Sequence, residues 1–251
     1  MPAEFVLHAG GKEVSYEELA RVDLPASTKT WVPIKHTTVL DTAVTTLAEA
    51  GYAVVQRRLA LSKNGSRFFG VLDLATELTT DGTVTLAVGI RSSYDKTYPL
   101  GFCAGARVFV CDNLAFRSDL MVKRKHTVNG AAHFSSAIAS AVMQLGSFKE
   151  TESRRIAVMQ ETPMTDERAE SLMLRACLAK GIIAQRQLPV VYKEWREPRH
   201  EAFQPRNGWS LLNAFTSALH GLQERNPADL ARRTMRLHAL LSSLATLPMS
   251  S

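Results

Sequence analysis

From His36 onward apolar residues recur at helical spacing, through Val39, Leu40, Ala43, Val44, Leu47 and Ala48, and Gly51 stands where a C-terminal cap belongs. The period then changes. Tyr52 to Leu61 alternates apolar residues with Gln56 and Arg58, Lys63-Asn64-Gly65-Ser66 reads as a hairpin turn, and Arg67 to Ala75 as the return strand. Asp81-Gly82 predicts a second turn, Thr83 to Arg91 a third strand, and Leu100 to Cys111 a fourth, glycine-rich one. A helix followed by a meander is not the strand–helix alternation of a doubly wound parallel sheet.

The flanking regions differ from this core pattern. Residues 1–35 read as an adapter segment. It holds a short strand at Val6 to His8, a turn at Ala9-Gly10-Gly11-Lys12, and a helix through Ala20 opened by a Ser15/Glu18 capping box. Residues 25–35 run extended between Pro25 and Pro33. Beyond residue 130 the strand signals stop. Helices are predicted over Phe134 to Phe148, from a Thr165 cap to Gly181, over Gly208 to Leu222, and over Pro227 to Leu247 behind an Asn226 cap. Trp195 and Trp209 flank a loop with Pro198 and Pro205. The expected fold is therefore α+β: an antiparallel meander of about four or more strands, preceded by a helix and packed with a C-terminal helical region. The expected divisions are 1–35, 36–130 and 131–251, the last two sharing one core.

Composition narrows the class. With 251 residues, 45% of them hydrophobic and 22% charged, the chain falls in the globular range. Its apolar stretches fall short of the roughly 18–20 residues that a membrane span requires. Glu4, His8, Lys12 and Glu13 interrupt any secretory signal pattern. Three cysteines, Cys103, Cys111 and Cys177, do not make a disulfide framework or a closed zinc site. A reducing, cytoplasmic setting is expected, with no cofactor and no resident metal.

No catalytic signature stands out. Asp73, Asp81, Asp95 and Asp112 lie near strand ends, where metal-dependent nucleases keep their acids, yet Asp81 and Asp112-Asn113 are natural turn residues. His126 and His133 lack the four-residue helical spacing of a zinc-protease pair, and neither a nucleophile elbow nor a phosphate-binding Gly/Lys loop is present. Gly101 and Gly105 in the fourth strand point to close packing more than to phosphate binding.

Charge is more informative. Thirty Lys and Arg against twenty-four Asp and Glu leave a formal +6. Lys123-Arg124-Lys125-His126 is a cationic run that has to be solvated or meet an anion. Arg57, Arg58 and Arg67 are interleaved with Phe68 and Phe69, while Arg91 precedes Tyr94 and Lys96. Cations neutralise phosphates and rings stack on unpaired bases, so this mixture suits single-stranded nucleic acid. The expected contacts are Arg57, Arg58, Arg67, Arg91 and Lys96 along a sheet-side groove. Phe68 or Tyr94 would serve as the stacking ring, with Lys123, Arg124, Lys125 and His126 in a loop beyond the fourth strand. Arg232, Arg233 and Arg236 read instead as a solvated helix face opposite Leu230, Leu237, Leu240 and Leu241.

Several of these words resemble a known family. Arg91-Ser92-Ser93-Tyr94-Asp95-Lys96, Leu100-Gly101-Phe102 and Arg107 through Phe116 are similar to the signature of the domain-of-unknown-function 932 family, also called phage/plasmid-like proteins. Arg124-Lys125-His126-Thr127 and Asn207 through Thr216 resemble its other recurring stretches, so the likeness covers roughly residues 30 to 245. Ser93 stands where Asn is common, and Asp112 adds an acid before Asn113. The resemblance implies a bacteriophage or plasmid setting and carries no catalytic residues. Helix, antiparallel strands, then helix is also the layout of single-strand annealing proteins, and by that analogy a homo-oligomer is expected. Three functions follow in order: a single-stranded DNA-binding or annealing protein of a mobile element; an anti-defence accessory protein that binds a host protein; and, behind both, a metal-dependent nuclease.

Overall fold

The computed structural model describes residues 12–97, 99–108, 113–127, 129–225 and 227–242. The expected strand at Val6 to His8, Cys111, Asp112, the Asn226 cap and the last turn to Leu247 lie outside the described residues. Six strands form one sheet in sequence order: β1 (Lys12–Glu13), β2 (Val54–Leu61), β3 (Arg67–Glu77), β4 (Val84–Ser93), β5 (Leu100–Val108) and β6 (Asn113–Arg124). Every neighbouring pair is antiparallel. Helices α1 (Tyr16–Ala20) and α2 (His36–Glu49) precede the meander. The helices α3 (Gly130–Met143), α4 (Leu145–Glu161), α5 (Asp166–Leu174), α6 (Leu188–Arg196), α7 (Gly208–Arg225) and α8 (Pro227–Ser242) follow it. The protein is α+β.

Local chemistry accounts for the joints. Ser15 Oγ accepts from Glu18 N at 3.2 Å while Ser15 N donates to Glu18 Oε2 at 2.9 Å, closing the capping box of α1. Between β2 and β3, Asn64 Oδ1 accepts from Ser66 N at 3.1 Å and from the Ser62 and Ser66 hydroxyls. Gly65 takes a φ of +70° there, which a side chain would resist. Asp81 Oδ1 accepts from Thr83 N at 3.1 Å and turns the chain into β4.

The two sheet faces are unequal. Leu59, Phe68, Leu72, Leu86, Val88, Ile90 and Phe102 face the helices, in one buried cluster that runs from Leu40 of α2 to Trp195 of α6 and Leu237 of α8. The opposite face holds a small cluster of Ala60, Phe69, Val71 and Ala87, against which Cys103 and Met235 of α8 pack. Helices α3, α7 and α8 all pack against β6. Arg155 of α4 grips Glu152 on its own helix and donates to His238 Nδ1 of α8 at 2.6 Å, tying two distant helices.

Three sequence expectations change. Lys123 and Arg124 end a sixth strand rather than sit in a loop, and Lys12 belongs to β1 rather than to a turn. The helix expected over Phe134 to Phe148 is broken at Gln144, which closes α3 and opens α4. Leu188 to Arg196 adds a helix not expected from the sequence, α6: Pro189 sits in its first turn, where a missing N–H costs nothing.

Candidate nucleic-acid interface

Side chains on a strand alternate between faces, and that alternation divides the predicted contacts. Arg58 pairs in register with Val71, on the face of the smaller cluster, whereas Arg57 pairs with Leu72, whose side chain faces the main core. The two adjacent arginines therefore do not share a surface. Arg57 is exposed and near enough to Tyr16 of α1 to act on its hydroxyl. Arg58 is only 7% exposed, with Nη2 at 3.7 Å from Oδ1 of the fully buried Asp73. A guanidinium so enclosed neutralises an internal acid and is not placed to meet a phosphate, contrary to the expectation for Arg58.

Both candidate stacking rings are also corrected. Phe68 is fully buried in the helix-side core. Tyr94 is buried as well, stacked on the His36 ring at 3.8 Å between centroids, and its hydroxyl accepts from His36 N at 2.9 Å. His36 Nε2 meets the Gly65 carbonyl at 3.1 Å. A carbonyl only accepts, so Nε2 carries the proton. Burial pulls the His36 pKa down to about 4, which keeps the imidazole neutral. These rings lock α2 onto the β2–β3 and β4–β5 turns.

What remains gathers at one end of the sheet. The register places Ala60, Phe69, Arg91, Gly101 and Lys123 in a row across β2 to β6 on the face away from the main core. Arg91 lies across bare backbone: a Cβ on Gly101 would stand 2.9 Å from its Cγ and Nε. The charges of Arg91 and Lys123 also act on the Cys103 thiol below the row, although burial is stronger and pushes that thiol up. Cys103 is thereby a protonated packing residue rather than a nucleophile. Beside the row, Arg67 Nε holds Asp95 Oδ2 at 2.5 Å, and Asp95 Oδ1 accepts from Thr97 N at 3.0 Å. Burial alone would raise the Asp95 pKa, but the hydrogen bonds from Thr97 and Arg67 bring it below the usual value.

Around the corner from this row lies a cleft of about 440 Å³ lined by Thr30, Trp31, Lys96, Thr97, Pro99, Lys125, His126 and Thr127. Its walls come from three stretches: the extended segment before α2, the β4–β5 turn, and the chain leaving β6. Val32 N donates to the His126 carbonyl at 3.2 Å, joining the first wall to the third. Lys96 Nζ sits 5.0 Å from the Trp31 ring centroid, a cation–π contact. The Lys96 backbone has φ +61°, the left-handed region in which no other described non-glycine residue is found. Lys125 is exposed, and His126 is only 5% exposed with neither ring nitrogen hydrogen-bonded. Burial lowers the His126 pKa. None of the described lining residues is acidic.

Lys96, expected along a sheet-side groove, and Lys125 and His126, expected in a loop beyond the fourth strand, line this one cleft, and Trp31, not singled out from the sequence, lines it with them. Its only sequence signal is a lone tryptophan beside Thr30 in a segment flanked by prolines. Arg124 is exposed and donates from Nη1 to the Lys123 carbonyl at 2.9 Å. The acids do not assemble: Asp73 serves Arg58, Asp95 serves Arg67, and among the described residues no three His, Cys, Asp or Glu side chains could hold a metal ion. On the basic helix α8, Arg232 and Arg233 share the carboxylate of Asp229. Among the described residues no helix is long and apolar enough to cross a membrane.

The stretches quoted for the family likeness fall in three places. One is the far end of β5 and β6, where Arg107 pairs with Leu114 and Val108 with Asn113, residues 109–112 lying outside the described ones. Arg91–Lys96, Leu100–Phe102 and Arg124–Thr127 build the sheet end and the cleft. Asn207, by contrast, caps α7, accepting from Ser210 N at 2.9 Å and donating Nδ2 to the Gln160 carbonyl. No family of known proteins, no curated protein and no solved structure matches the chain.

Proposed function

We propose that this protein binds single-stranded nucleic acid, DNA before RNA, through the end of its sheet, and that it serves a phage or plasmid in recombination, replication or DNA protection. One observation carries the reading: Lys96 and the neighbouring pair Lys125 and His126, from separate stretches of the chain, line one cleft with Trp31 and with no acid among its described walls. A strand of phosphates needs a track of cations, and bases need a ring or a guanidinium plane. Arg91 and Lys123 extend the cationic surface from the cleft onto the sheet, and Arg124 adds a further exposed guanidinium beside it. The mobile-element setting rests on the likeness of Arg91–Lys96 and Arg124–Thr127 to the phage/plasmid-like family.

The direct test replaces Lys123, Arg124 and Lys125 with Ala and titrates a labelled oligonucleotide at several salt concentrations. Each lost phosphate contact flattens the slope of log K against log salt by about 0.7 for a single strand. The triple variant is expected to bind at least about tenfold more weakly at low salt, with a slope flatter by roughly 2. Equal binding by variant and wild type at every salt concentration overturns the assignment.

A further inference from the structure

The cleft has features that a groove for a passing backbone does not need. Its volume of about 440 Å³ is that of a pocket, within the range that encloses a small ligand. Two ammonium groups, Lys96 and Lys125, serve it, and the nearest turn acid, Asp95, is already engaged by Arg67. His126 lies nine-tenths buried in the wall with both ring nitrogens unpartnered, a cost that a bound polar ligand would remove. Lys96 is held in a left-handed conformation that lysine resists, and its ammonium rests over Trp31. Two cations around one small space match a dianion better than the single charge of an internal phosphodiester. The ring supplies a stacking face for a base.

We infer that this cleft is a pocket for a nucleotide bearing a phosphomonoester, taken either from the phosphorylated end of a strand or as a free mononucleotide. The phosphate meets Lys96 and Lys125, the base lies against Trp31, and His126 turns one ring nitrogen toward the ligand. This rests on the nucleic-acid reading and adds end recognition to it. When the nucleotide enters, Lys96 leaves the indole face for the phosphate, exchanging one anion-like partner for a stronger one.

The test compares thymidine oligonucleotides of one length with a 5′-phosphate, a 3′-phosphate, hydroxyls at both ends, or closed into a circle, with thymidine monophosphate as competitor. A phosphorylated end is expected to bind about tenfold tighter than hydroxyl ends or the circle, the scale of one added charge-assisted hydrogen bond. Lys96→Gly should erase that preference while leaving the melting temperature equal or higher, because glycine accepts φ +61° without strain. Lys125→Ala should erase it as well. A monophosphate that binds as tightly as the phosphorylated strand identifies the free nucleotide as the source; a tighter strand identifies the strand end. Identical affinities for all four strands, with a monophosphate that does not compete, overturn this inference and leave strand binding standing. Failure of every strand to bind at low salt overturns the nucleic-acid reading itself.

Discussion

Arg58 and Lys123 both lie on the same face of the same sheet, yet they end in opposite environments. Arg58 on β2 has Asp73 as a diagonal neighbour on β3, and the pair is enclosed. Lys123 closes the row of Ala60, Phe69, Arg91 and Gly101, which has no carboxylate between β2 and β6. The only acid in line with that row is Glu13 on β1, at the far edge. A cation in a strand is therefore a fold element or an interface element according to what stands one or two residues away on the next strand. Spacing along its own strand says little about which.

The sharpest way to break that contrast is Arg58→Ala. Removing the guanidinium leaves the Asp73 carboxylate buried without this partner, and breaking such a pair costs roughly 3–5 kcal/mol. Urea denaturation should show the loss, while the folded fraction binds oligonucleotide like wild type. A loss under about 1 kcal/mol together with weaker binding would return Arg58 to the interface and erase the distinction between the two regions.

That distinction marks the limit of what the sequence made legible. The order of helix, meander and helices was readable because its signals are local: the 3.6-residue stripe of α2, and Asn64-Gly65 and Asp81-Gly82 at the turns. Strand β6 was not, because Asn113–Arg124 is polar at both ends and lacks a clean alternation, so its pairing with β5 decides it. Helix α6 was hidden by Pro189, a breaker in mid-helix but not in a first turn. At the site, charge marked Lys96, Lys125 and His126. The burial of Phe68, Tyr94 and Arg58, and the arrival of Trp31 beside His126, depend on long-range register and on one backbone hydrogen bond.

His36 offers a second probe, this time of the joint beneath the cleft. The folded protein holds its imidazole neutral with a pKa of about 4, against about 6.5 when unfolded. A depressed histidine pKa means that the unfolded chain binds the proton first. The stabilisation is thus complete above about pH 6.5 and is lost progressively as pH falls toward 4. The full effect is roughly 3 kcal/mol. Melting temperature followed between pH 7.5 and 4 should fall in wild type and fall less in His36→Phe, which keeps a ring against Tyr94 but cannot titrate. Parallel curves for the two proteins would mean that His36 is not held neutral.

The smallest effect is expected where cations are most numerous. Arg232 and Arg233 of α8 both engage Asp229, and the Arg232 side chain is largely exposed. Burial alone would raise the Asp229 pKa, but the two arginine hydrogen bonds hold it below the usual carboxylate value. Arg232→Ala leaves Arg233 in place at 2.7 Å from Asp229 Oδ2, so the acid is not stranded. An exposed pair of this kind contributes about 0.3–0.5 kcal/mol, and the variant should lose no more than that. Because this guanidinium already has its anion, oligonucleotide affinity and its salt slope should stay at the wild-type values. A salt slope flatter by about 0.7 in Arg232→Ala would place a phosphate on α8 and extend the interface well beyond the sheet end.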